Sequence, residues 1–113
     1  MKYLMVLTLV ISLLSSCANN KLDSCTTTCS TLSTLKYSNF SNFIATSCAT
    51  GSGCHGTGSS SGDFSSYTGL QPYLANGKFK QRVIIEKNMP PSGGVRQSYL
   101  DSLSCWICNG YPQ

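Results

Sequence analysis

Apolar positions recur at helical spacing in three stretches of this 113-residue chain. Phe40, Phe43 and Ile44 share one face of a helix expected from about Ser38 to Ser47, with Ser38 as its N-cap. Tyr67, Leu70 and Leu74 mark a second, starting near Ser66, which Pro72 limits or kinks and Asn76-Gly77 ends. Phe79 to Ile85 adds another apolar turn or two. The clearest stretch runs from Arg96 to Cys108, with Tyr99, Leu100, Leu103, Trp106 and Ile107 on one side and Gly110 as the stop. Leu100, Leu103 and Ile107 define its buried stripe, and Cys105 and Cys108 share a flank. Val83-Ile84-Ile85 has strand character but no evident pairing partner, so the expected class is all-α.

The N-terminus follows a different pattern. Lys2 precedes an apolar run from Tyr3 to Leu14, then Leu14-Ser15-Ser16-Cys17. A basic start, a short apolar run and small residues describe an export signal, too short to span a membrane stably. The four residues ending at Cys17 resemble a bacterial lipobox. By that resemblance residues 1–16 are removed and Cys17 is acylated. Acyl chains then anchor the protein to a membrane of the bacterial cell envelope, facing periplasm or surface. Residues 17–36, rich in Ser, Thr and Asn, read as a tether, and residues 37–113 as one small globular domain.

A domain of under about 80 residues usually needs staples or a cofactor. Export permits disulfides, and the chain has seven cysteines. Cys48-Ala-Thr-Gly-Ser-Gly-Cys54-His55 contains the single histidine, directly after a cysteine. A Cys-His pair with a second cysteine upstream is the pattern of covalent haem attachment, here with five intervening residues instead of two. Glycines 51, 53, 56, 58 and 62 surround it as a loop, and Gly51 and Gly53 suit an outward bulge. With Cys17 lipidated and Cys48 and Cys54 on haem, Cys25, Cys29, Cys105 and Cys108 remain for two disulfides joining tether to last helix. Three disulfides without haem balance equally well. Cys105-Trp-Ile-Cys108 also has the C-x-x-C form of a redox dithiol, and a zinc site would need reduced thiols.

Asn88-Met89-Pro90-Pro91 supplies the other piece of chemistry. Paired prolines stiffen the backbone around Met89, the one methionine downstream of the signal segment. A thioether held on a rigid loop suits a sixth iron ligand. Lys78, Lys80, Arg82, Lys87 and Arg96 cluster near it in sequence, with Arg82 the favoured contact for a haem propionate. The net charge is only +4 and charged residues are 11% of the chain, so nucleic-acid binding has no support.

Taken in order, these residues resemble small class I-type cytochrome c domains of bacterial surface and periplasmic proteins. The resemblance runs from about Tyr37 to Gln113. It takes in Cys48…Cys54-His55-Gly56, Asp63 with Tyr67-Thr68-Gly69, Gly77-Lys78 with Arg82, Met89-Pro90-Pro91-Ser92-Gly93, and Trp106-Ile107-Cys108-Asn109-Gly110. It implies haem c held by thioethers from Cys48 and Cys54, His55 proximal and Met89 distal. It also implies a monomeric electron carrier, not an enzyme, serving a redox protein near the membrane. The competing expectation is a haem-free, disulfide-stapled lipoprotein that acts as a binding or structural module.

Overall fold

The computed structural model describes Cys25, Cys29 and residues 32–113. The expected signal segment 1–16, the expected lipidation site Cys17 and most of the expected tether 17–36 lie outside the described residues. Among the described residues every regular element is helical and there is no strand.

A 3-10 turn, Tyr37–Asn39, leads into α1, Ser41–Ser47. The expected N-cap Ser38 instead lies inside the 3-10 turn. The turn's entry is closed by the Asn39 side chain, which accepts from the Lys36 N–H at 2.8 Å. Phe40 and Ile44 carry the apolar face into the core, and α1 delivers the chain to Cys48.

α2, Tyr67–Ala75, starts beside Ser66, where the sequence places it. The Ser66 hydroxyl accepts from the Gly69 N–H at 3.2 Å, a standard cap. Pro72 lies within this helix without ending it, and Asn76 and Gly77 close it, Gly77 at a φ of 77°. α3, Lys78–Lys80, continues directly into a π turn, Gln81–Ile85. The β-branched run 83–85 is thus a wide helical turn, with Val83 buried and Ile85 exposed. α4, Gln97–Cys108, follows, and Gly110 at a φ of 83° ends it as expected.

The stripe of α4 differs in one respect from its periodicity. Trp106 is fully buried beside Leu100 and Leu103, while Ile107 is only partly so. An indole is buried completely when its N–H has an acceptor, and Trp106 Nε1 donates to the Pro112 carbonyl at 2.9 Å. The same carbonyl accepts from the Tyr37 N–H, and the Tyr67 hydroxyl donates to the Tyr111 carbonyl, both at 2.9 Å. The C-terminal tail thereby joins α4 to the starts of α1 and α2. Around it Tyr37, Phe40, Tyr67 and Trp106 pack ring against ring, with centroids 5.1 to 6.4 Å apart.

Two disulfides finish this side. Cys25 bonds Cys108 and Cys29 bonds Cys105, so Cys25 and Cys29 meet the last turn of α4 in antiparallel order. The tether–helix pairing expected from the cysteine arrangement is therefore present, in nested order.

Candidate cofactor site

The Cys48–His55 loop is closed at its base by one backbone bond, His55 N–H to Cys48 carbonyl at 3.0 Å. Between these residues the chain loops outward, and residues 50–54 are exposed. The Gly51 carbonyl gathers the N–H groups of Cys54 and Gly56, at 3.0 and 2.8 Å. The five-residue gap is thus absorbed by an ordered bulge. Gly51 and Gly53 do not produce it through left-handed backbone: neither has a positive φ, and a Cβ on either would meet nothing. The required glycine is Gly56, whose added Cβ would stand 2.8 Å from the Gly51 backbone.

The loop orders its two thiols differently. Cys48 is 6% exposed, and burial, then the neighbouring Cys54, pushes its thiol up to about 11. Cys54 is exposed, and the two cysteines are not bonded to each other. His55 is half-buried. Its ring lies flat on Phe64, centroids 4.1 Å apart with planes 3° from parallel. Phe64 is fixed in turn by its N–H donating to the His55 carbonyl at 2.6 Å and by edge contacts with Tyr73 and Phe79. His55 Nδ1 is buried and has no hydrogen-bond partner among the described residues. A buried nitrogen left this way costs about 1–3 kcal/mol.

Beside this ring lies a cavity of about 370 Å³. Cys48, Cys54, His55, Arg82 and Met89 all line it, so every residue expected to touch a cofactor faces one space. Its volume is within the ~300–1,000 Å³ typical of small-molecule sites. Phe64, Tyr73, Phe79 and Val83 make the apolar wall, and Lys78 joins Arg82 as a basic group. Met89 lines the same cavity, half-buried, on a loop whose Met89–Pro90 peptide is cis. The Arg82 guanidinium is exposed and forms an ion pair with Glu86 at 3.0 Å. Arg82 therefore lines the cavity as expected, with its charge already partnered.

Phe64 and Tyr73 are the site residues that sequence reasoning missed. Phe64 had a usable signal: it is a lone aromatic in a Gly- and Ser-rich loop, where an apolar side chain needs something to pack against. Of the other basic candidates, Lys87 donates to Gln97 at 2.9 Å and Arg96 lies over a separate groove between α1 and α4. Among the described residues no helix is long and apolar enough to cross a membrane. Nor do three or more His, Cys, Asp or Glu side chains there gather as a cage for a bare metal ion. Comparison with family models, curated proteins and solved structures finds no match for this chain.

Proposed function

We propose that the chain is a lipid-anchored monohaem c-type cytochrome that carries electrons near a bacterial membrane. The observation that carries this reading is the convergence of Cys48, Cys54, His55 and Met89 on one apolar cavity. The donor set suits haem in each part. An imidazole and a thioether are a known axial pair, and two thiols beside the imidazole suit two vinyl groups. The buried Nδ1 of His55 is a polar atom for which the described residues provide no hydrogen-bond partner.

Bound haem would supply a one-electron iron couple. The chain's own residues define the rest. Phe64 holds the His55 ring by stacking, which fixes the plane of its nitrogens. Met89 approaches from a proline-stiffened loop. Phe64, Phe79 and Val83 exclude water, which lowers the local dielectric and makes potential depend on nearby charge. Lys78 offers a cation to a carboxylate at the cavity, while the Arg82 guanidinium there is paired with Glu86. Exposed Cys54 is the more accessible thiol for attachment, and buried Cys48 the less reactive one.

His55 and Met89 would both hold bound haem, which supports a carrier rather than an enzyme, with a redox protein as its partner. Expression with cytochrome c maturation factors should give a protein with a Soret band that survives denaturation. Absence of that band would favour the haem-free lipoprotein, whose two disulfides would suffice as staples. The anchor is tested separately: Cys17→Ala should release the protein from membranes, and its retention there would remove the lipobox reading.

A further inference from the structure

We propose that Glu86 is a positioning residue for Met89, holding the methionine loop against the π turn through Asn88. The inference rests on the haem reading above, in which Met89 is an axial ligand. It starts from the width of the turn. The Glu86 N–H donates to the Gln81 carbonyl at 2.9 Å, five residues back, and this returns Glu86 to the side of Gln81 and Arg82. The carboxylate then accepts three side-chain donors: Gln81 Nε2 at 2.9 Å, Arg82 Nη1 at 3.0 Å and Asn88 Nδ2 at 2.7 Å.

The first two bonds stay within the turn. The third crosses to the residue immediately before Met89. The backbone repeats the connection, because the N–H groups of Asn88 and Met89 both donate to the Arg82 carbonyl, at 3.1 and 3.3 Å. Lys87, at a φ of 53°, makes the reversal that brings them there. Hydrogen bonds from Gln81 and Asn88, with the Arg82 charge, hold the Glu86 carboxyl below the ordinary carboxylate range. An exposed ion pair adds little to stability. The consequence of this cluster is orientation: one carboxylate fixes both the guanidinium at the cavity and the loop that presents the thioether.

Three variants of the mature haem-loaded protein test this: Glu86→Ala, Asn88→Ala and Gln81→Ala. The readouts are the weak near-infrared band of iron–methionine ligation and the affinity for added imidazole, which competes with Met89. Glu86→Ala and Asn88→Ala should weaken the band and tighten imidazole binding about threefold to tenfold, the scale of one or two charged hydrogen bonds discounted for exposure. Gln81→Ala, whose bond does not reach the loop, should leave both readouts as in the wild type. If Glu86→Ala does not accumulate, Asn88→Ala carries the test, since it leaves the Arg82–Glu86 pair in place. A wild-type band that persists unchanged in Asn88→Ala and Glu86→Ala overturns the role of Glu86 and leaves Met89 as ligand. A wild type without the band overturns Met89 ligation, and this inference with it.

Discussion

The two sides of this domain use aromatic rings in opposite ways. On the tail side, Tyr37, Phe40, Tyr67 and Trp106 pack together, the Tyr67 hydroxyl and the Trp106 N–H donate to C-terminal carbonyls, and two disulfides lie alongside. On the loop side, Phe64, Tyr73 and Phe79 pack at similar spacing, yet they surround a cavity and leave a histidine nitrogen unpartnered. The first side is complete in itself. The second has shape and chemistry that the chain does not use internally. A core this small tolerates an open half because the other half is covalently closed.

Removing the closure should have the largest effect. A crosslink spanning 76 or 83 residues constrains the unfolded chain strongly, by about 4 kcal/mol in the chain-entropy model. The two loops are nested and their separations differ by only seven residues. With one bond intact the second closes only a small ring, so losing either alone should cost about 2 kcal/mol. Losing both should cost about 6 kcal/mol and leave the domain largely unfolded. Denaturant titration of the single- and double-pair serine variants checks this. A second removal that costs no more than the first would contradict the nesting argument.

Core truncations should separate the sides next. Trp106→Ala should cost about 4 kcal/mol, because a filled and hydrogen-bonded site cannot collapse. Phe64→Ala, at the wall of an existing cavity, should cost about half as much in haem-free protein. It should also loosen the His55 ring and reduce haem incorporation. A larger stability loss for Phe64→Ala than for Trp106→Ala, read from thermal or denaturant melts, would mean that the loop side is the better packed of the two.

Within the open half, if haem is held as proposed, Met89→Ala should vacate a coordination position. Carbon monoxide should then bind and the reduction potential should fall, since the soft thioether favours ferrous iron. Ready carbon monoxide binding by the wild type would make Met89 a packing residue only.

The smallest effect concerns Cys48. In haem-free protein its thiol is raised from 9.0 to about 11, mainly by burial. The folded state therefore holds this proton more tightly than the unfolded chain. The resulting stability is fully present below about pH 9 and is lost between about pH 9 and 11. Near neutral pH an alkylating reagent should label exposed Cys54 well before Cys48, by peptide mass mapping. Reversed order would contradict the burial of Cys48.

Much of the frame was legible from residue types whose local physics is strong. The start of α2 near Ser66, the Gly77 and Gly110 stops and the start of α4 near Arg96 follow from short-range rules, and the tether–helix disulfides from the cysteine count and the shared flank of Cys105 and Cys108. Cys48, Cys54, His55, Met89 and Arg82 were singled out by motif, and they line one cavity. What was not legible depends on chain returns that no period announces. The π turn at 81–85 has strand character because Val83, Ile84 and Ile85 are β-branched. The Glu86 cluster exists only because that turn is one residue wider than an α turn. Trp106 outranks Ile107 in burial through a carbonyl six residues away, at Pro112. Phe64 and Tyr73 meet only once the glycine loop folds over His55.

The most direct test of the account is denaturing mass spectrometry of the mature protein after expression with cytochrome c maturation factors. The account predicts a mass increased by one haem, with the modified peptide containing Cys54 and His55 and the two tether–α4 disulfides intact. An unmodified mass, or Cys48 disulfide-bonded to Cys54 in that peptide, would contradict it.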